Sequence, residues 1–204
     1  MTQPPQLPKK FCVSGKKYRV LGLAGSGGYA QVFKVEDANE KIYAVKKYVK
    51  MKAVSIQSAH TEVKMLKNKL LIYIVLVHSK KNYQHENIIK LIDYEFKKVS
   101  LLSKNYVLTI VMEYCHNDLV GEVKRVMHKN ESFPEKRILL ILVDVLAALS
   151  YLHSNDIIHR DVKLDNVLVR PDSSCVLCDF GSCATSPILL NTASYEKAAK
   201  DVSK

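Results

Sequence analysis

The run Ile158-His159-Arg160-Asp161-Val162-Lys163-Leu164-Asp165-Asn166, followed by Cys178-Asp179-Phe180-Gly181, constrains this chain more than any other feature. It supplies a carboxylate at Asp161, a cation two residues on at Lys163, and two oxygen donors at Asn166 and Asp179. Chemistry at a phosphoryl group needs that set. One carboxylate meets a hydroxyl proton, an amide and a second carboxylate hold magnesium, and a cation neutralises phosphate charge.

Upstream, apolar and polar residues alternate through Tyr18-Arg19-Val20-Leu21, Gln31-Val32-Phe33-Lys34-Val35 and Ile42-Tyr43-Ala44-Val45-Lys46, with a turn at Asp37-Ala38-Asn39. That pattern predicts an antiparallel meander. Between the first two strands lies Gly25-Ser26-Gly27-Gly28-Tyr29-Ala30, where glycines let backbone N–H groups approach polyphosphate closely. Val63, Leu66 and Leu70 predict a helix over 55–70. Strands follow from Ile88 to Phe96 and from Tyr106 to Met112. After Glu113-Tyr114-Cys115 the chain turns helical, from Leu119 to Lys129 and from Pro134 to His153. Ile138, Leu139, Leu142, Val145, Leu146 and Leu149 make the second of these read as a central buried helix.

Together these motifs resemble the eukaryotic protein kinases of serine/threonine type. The Asp161 run is similar to their catalytic loop, Asp179-Phe180-Gly181 to their metal-binding motif, and Tyr43-Ala44-Val45-Lys46 to their V-A-I-K strand. The resemblance implies an α+β, protein-kinase-like bilobal fold with a five-stranded antiparallel N-lobe sheet, one helix, and an incomplete helical C-lobe. Residues 1–15 are expected to be a disordered leader and 16–204 a partial kinase domain. Its N-lobe covers about 16–112, its hinge about 113–116 and its partial C-lobe about 117–204.

Site roles follow from the same resemblance. Asp161 is the expected base, Lys163 the cation near the transferring phosphoryl group, and Asn166 and Asp179 the Mg²⁺ ligands. Lys46 is expected to pair with the α- and β-phosphates of ATP and with Glu62 on the helix. Gly25, Ser26, Gly27, Gly28, Tyr29 and Ala30 would cover the phosphates, Ala30 standing where the pattern G-x-G-x-x-G-x-V has its third glycine. Backbone groups of Glu113 and Cys115 would meet adenine, with Met112 behind it and Val32, Ala44 and Leu168 sandwiching the ring. His159 is expected to be structural, packed on Phe180.

The glycine loop, Val176-Leu177-Cys178-Asp179-Phe180-Gly181-Ser182 and the stretch Ser194 to Lys204 look like the numb-associated kinase family, which includes the adaptor-associated and cyclin-G-associated kinases. That likeness implies serines or threonines of clathrin-adaptor subunits as substrates, and endocytic traffic as the setting. Two departures stand beside it. The connection from Glu62 to His85 is longer than kinases usually carry and holds the apolar run Leu70 to Val77, too short for a bilayer span of about 20 residues. The sequence also stops before A-P-E and the later helices, so the long helix after Pro134 is expected to expose apolar surface suited to burial, and nucleotide binding is expected to survive better than phosphotransfer. The rival expectation is a kinase-like module that binds nucleotide or a partner without turnover.

Composition narrows the rest. With 204 residues, 48% of them apolar, the chain can bury one domain core. A net charge of +11 suits anionic partners, including the surface of an acidic membrane for peripheral association. The lysines are spread, and no basic-aromatic module accompanies them, so nucleic acid is not an expected partner. The first ten residues are proline-rich with no apolar signal core, and five cysteines form no disulfide framework. The expected setting is therefore cytoplasmic, with reduced thiols. Cys175 and Cys178 lack the second ligand pair that zinc wants; as strand cysteines at odd separation they should point to opposite faces. No G-x-x-x-x-G-K-[ST] occurs, which argues against a P-loop nucleotidase.

Overall fold

The computed structural model describes residues 7–27, 30–48, 85–98 and 106–185. The helix expected over 55–70, Glu62 with it, the apolar run after it, and Gly28 and Tyr29 lie outside the described residues.

Six strands form one antiparallel sheet: β1 (Lys10–Val13), β2 (Lys16–Ser26), β3 (Ala30–Glu36), β4 (Ile42–Tyr48), β5 (Leu91–Lys98) and β6 (Tyr106–Glu113). Their order is β1-β2-β3-β4-β6-β5. The five expected strands are all present, and β1 is the addition. Residues 10–13, expected within a disordered leader, are therefore strand, with Phe11 and Val13 buried between exposed neighbours. Ser14 and Gly15, at φ 47° and 80°, make the tight reversal into β2. Positive φ at both central residues is what a two-residue hairpin turn requires. Ser14 Oγ then donates to Asp93 Oδ1 at 2.9 Å and to the Tyr94 carbonyl at 3.1 Å, drawing the first strand toward the last.

Strand alternation divides the core between two faces. Val13, Phe33, Val35, Val45 and Val111 pack on one side of the sheet. Ala44, Leu108, Ile110 and Met112 face the other way, into a cluster that continues through Leu152, Ile157, Val167, Val176, Leu177 and Phe180. One core thus joins the sheet to the second lobe.

The second lobe contains β7 (Asn117–Asp118), α1 (Leu119–His128), α2 (Glu135–His153), β8 (Ile157–Ile158), β9 (Val167–Val169), β10 (Cys175–Leu177) and β11 (Ala184–Thr185). Asp118 caps α1 by accepting the Gly121 N–H at 2.6 Å, satisfying one of the donors a helix start leaves open. Pro134, at φ −62°, occupies the cap of α2. The β9–β10 hairpin is braced from α2. Arg137 forks onto Glu122 of α1 at 2.7 and 2.9 Å and reaches the Ser173 carbonyl at 2.8 Å, while Asp144 accepts the Cys175 N–H at 2.7 Å.

The long helix has the character of a central buried one but is covered on one face only. Ala148 and Leu152 are fully buried, but Leu139, Val143 and Leu146 are 61–63% exposed. Its apolar residues run almost all round, so periodicity could not say which face packs. The face against β8 and β10 is covered and the opposite face is bare. Among the described residues no helix is long and apolar enough to cross a membrane.

Candidate active site

The turn after β8 is ordered around a buried imidazole. His159 is 1% exposed and sets its ring edge-on to Phe180, with centroids 5.5 Å apart. Its Nδ1 accepts the Asp161 N–H at 3.3 Å, so the ring proton sits on Nε2 and is donated to the Cys178 carbonyl at 2.9 Å. Burial is the chief cause that holds its pKa below the ordinary value of 6.5, and the ring stays neutral. The folded state therefore takes up this proton later than the unfolded chain does, and stability falls as pH drops below about 6.5. Unfolding midpoints of the parent and of His159→Gln, compared at pH 7.5 and 5.5, should show the larger acid loss in the parent. Equal losses would show that His159 is not the group responsible.

Around this ring the side chains expected to form a catalytic loop converge. A single 3₁₀ turn over Leu164–Asn166 brings the Asn166 amide back to Asp161, donating to its carbonyl at 2.7 Å and to Oδ2 at 2.9 Å. Lys163 Nζ donates to the same Oδ2 at 3.0 Å. The Lys163 hydrogen bond is the main cause that keeps the Asp161 carboxyl below the usual carboxylate range, so it is ionised at neutral pH. With the Asn166 Nδ2 committed to Asp161, its amide oxygen is left for the cleft that Asn166 lines.

The Cys178 N–H donates to the Asn166 carbonyl at 2.9 Å, stitching the loop to the segment that carries Asp179. Asp179 adopts left-handed backbone at φ 59°, ψ 68°. Aspartate tolerates that region better than most residues. Its carboxylate accepts Lys46 Nζ at 2.6 Å and the Gly181 N–H at 3.3 Å. The Lys46 side chain is only 12% exposed. Burial works against its charge, but Tyr48 and the Asp179 carboxylate outweigh it and raise the pKa. Arg160, also left-handed at φ 62°, donates to the Ser182 carbonyl at 2.6 Å and so ties the loop to the chain beyond Asp179.

A cleft of about 350 Å³ between sheet and second lobe gathers most of the residues expected at a nucleotide site. Gly25, Val32, Ala44, Lys46, Met112, Glu113, Cys115, Asn166, Leu168 and Asp179 all line it. The size matches small-molecule sites, which run from about 300 to 1,000 Å³. Ser26, Gly27 and Ala30 do not line this volume; the Gly27 N–H donates to the Ala30 carbonyl at 2.9 Å across the loop. Asp161 and Lys163 reach the site through Asn166 rather than by lining the cleft. Glu62, Gly28 and Tyr29 lie outside the described residues.

Tyr114 and His116, within the hinge expected over about 113–116, line the cleft too, and Ala24, Asn117, Asp118, Asp165 and Cys178 do so without a role foreseen from sequence. Only the odd spacing of the C-x-x-C hinted at the last of them. Cys175 lies 3.6 Å from Arg137 on the helix side, and Cys178 faces the cleft. Burial pushes the Cys178 thiol up to about 12 and, with Glu113 adding to it, the Cys115 thiol up to about 11. Both are neutral lining groups.

Among the described residues no three His, Cys, Asp or Glu side chains converge as a metal cage. Asn166 and Asp179 nevertheless place hard oxygen donors at the two ends of one short hairpin, β9–β10. That pair fits Mg²⁺, which completes its shell with phosphate oxygens and water.

Residues 18–195 match the model of the protein kinase domain. A probable serine/threonine-protein kinase of Dictyostelium discoideum is 34% identical over 185 residues, covering 87% of this chain and 15% of that protein. The serine/threonine-protein kinase dst4 of the same organism is 32% identical, covering 88% and 32%. A cell cycle serine/threonine-protein kinase of Saccharomyces cerevisiae is 28% identical, covering 89% and 22%. The chain thus spans less than a third of the length of each of these three relatives. Its two-lobed α+β fold, its cleft and its match over most of the sequence agree: the chain belongs to the protein kinase domain family.

Proposed function

We propose that this chain carries the ATP site and phosphotransfer centre of a serine/threonine protein kinase, moving the γ-phosphoryl of Mg-ATP to Ser or Thr hydroxyls of proteins. The observation that carries the reading is the Asp161-Lys163-Asn166 cluster stitched to Asp179 and, through it, to Lys46.

Each residue has a task its surroundings support. Asp161, held ionised, accepts the hydroxyl proton as the new O–P bond forms and the bond to the ADP oxygen breaks. Lys163 offsets charge on the transferring group. Lys46 holds the α- and β-phosphates, its ammonium already bound to a carboxylate that faces the same cleft. Asn166 and Asp179 would hold Mg²⁺, which when bound would neutralise phosphate charge. Val32, Ala44, Met112 and Leu168 form the apolar slot for the base, beside the backbone of Glu113 and Cys115, and Gly25 with Ser26 to Ala30 covers the phosphates.

The finer reading is a kinase of numb-associated type in the cytoplasm, acting on clathrin-adaptor subunits. It rests on the glycine loop, on Val176 to Ser182 and on the stretch Ser194 to Lys204 in the sequence. Transfer of label from γ-labelled ATP to an adaptor subunit and to a generic Ser/Thr peptide tests both levels. Phosphoserine or phosphothreonine in either acceptor supports the activity, and preference for the adaptor supports the finer reading. Mg-ATP binding without any transfer would leave a nucleotide-binding kinase-like module.

A further inference from the structure

Glu113, the last residue of β6, turns its carboxylate into a junction where three parts of the molecule meet. Its Oε1 accepts the Lys90 N–H at 2.7 Å, and its own N–H donates to the Lys90 carbonyl at 2.9 Å. Arg170, in the turn after β9, forks onto the same carboxylate: Nε to Oε2 at 3.0 Å and Nη2 to Oε1 at 2.7 Å. The third nitrogen, Nη1, donates to the Glu86 carbonyl at 2.5 Å. The two side chains are 22% and 23% exposed, so the pair is substantially withdrawn from water.

The segment 86–90 is in turn bound to β10. The Leu177 N–H donates to the Asn87 carbonyl at 2.8 Å, the Ile89 N–H to the Leu177 carbonyl at 3.0 Å, and Asn87 Nδ2 to the Cys175 carbonyl at 3.0 Å. Glu113 lines the cleft; Arg170 does not. We propose that Arg170 is a positioning residue that sets the orientation of the 113–115 link toward the purine base, through the Glu113 carboxylate and the Glu86 carbonyl.

The physical reason is the planar fork. Two parallel charge-assisted bonds fix the carboxylate in direction as well as distance, which a point-charge ammonium cannot do. With the Glu113 carboxylate fixed by Arg170 and the Lys90 N–H, the link from Glu113 to Cys115 is held beside Ala44, Met112 and Leu168, which line the same cleft. The β9–β10 hairpin carries Arg170 at its turn and Asn166 and Asp179 at its ends. Base and phosphate subsites therefore share one rigid part, and Arg170 serves the base end alone.

This inference rests on the nucleotide reading above and deepens it, so its test separates the two. Calorimetric titration of the 204-residue chain with Mg-ATP, adenosine and Mg-tripolyphosphate is compared for the parent, Arg170→Ala and Arg170→Lys. Arg170→Ala should raise Kd roughly tenfold for ATP and adenosine, about 1.4 kcal/mol, and leave tripolyphosphate unchanged. Arg170→Lys should fall between, and it carries the test if the alanine variant does not fold. Unchanged adenosine binding in either folded variant overturns the inference and leaves the nucleotide site standing. Equal weakening for all three probes also overturns it, showing a general structural role. No ATP binding by the parent would remove the nucleotide reading, and this inference with it.

Discussion

Asp161→Asn should lower turnover by roughly 10²–10⁴-fold, the usual contribution of a positioned general base. Asparagine keeps the shape and can still receive Lys163 Nζ, now 3.0 Å from Oδ2. What it cannot do is take a proton. The backbone at this position is held independently of the side chain. His159 accepts the Asp161 N–H, and Asn166 donates to the Asp161 carbonyl at 2.7 Å. The loop should therefore keep its form in the variant, and Kd for Mg-ATP should not change. Because Lys163 lowers the Asp161 pKa below its ordinary 3.8, loss of the base form with acid belongs below that value. Turnover between pH 6 and 8 should be insensitive to this group. Phosphotransfer at saturating ATP, measured alongside nucleotide affinity, checks both parts. A variant within about threefold of the parent in kcat would remove Asp161 from the base role.

Asp179→Asn should abolish most of the stabilisation that Mg-ATP confers. A ligand at 100 times its Kd stabilises the folded chain by about 2.7 kcal/mol, and a site that loses one of the two oxygen donors proposed for magnesium should forfeit much of that. The unliganded variant should also be weaker, by about 1–3 kcal/mol, because the largely buried Lys46 ammonium loses its charged partner. The loss stays at the modest end because Asp179 itself is 36% exposed and its charge is partly screened by water. Backbone strain does not confuse the comparison. Asparagine accepts the left-handed φ of 59° about as well as aspartate does. The measurement is the unfolding midpoint with ATP alone and with Mg-ATP. Parent and variant should differ in the magnesium-dependent part, and an equal rise in both would exclude Asp179 from metal binding.

How much of this was legible beforehand depends on the range over which each feature is encoded. Tyr43-Ala44-Val45-Lys46 sits on a strand because alternation is a local property, and β3 pairs β4 without slippage from Ala30↔Tyr48 to Glu36↔Ile42. The Asp161-Lys163-Asn166 cluster is similarly local, closed by one 3₁₀ turn. The first strand is not legible in the sequence because the prolines just before it mask a three-residue alternation. That alternation counts only when Phe11 and Val13 find Phe33, Val35 and Val45 to cover them. For the long helix, an apolar surface on every side carries no information about which side meets a partner, so its exposed apolar face is expected but the identity of its covered face is not.

Sequence alone determined the chemistry on offer: which residues can give and take protons, hold a hard cation or cradle phosphate. Those roles depend on residue type and short spacing, and both are written along the chain. Tertiary structure decided who meets whom. Lys46 and Asp179 are 133 residues apart, and Arg170 and Glu113 are 57 apart. Among 31 basic and 20 acidic side chains, nothing local selects those pairs. They form because the common core presses the sheet, the 86–90 segment and the β9–β10 hairpin together. Charges enclosed that way must pair, since a lone buried charge costs far more than a matched one.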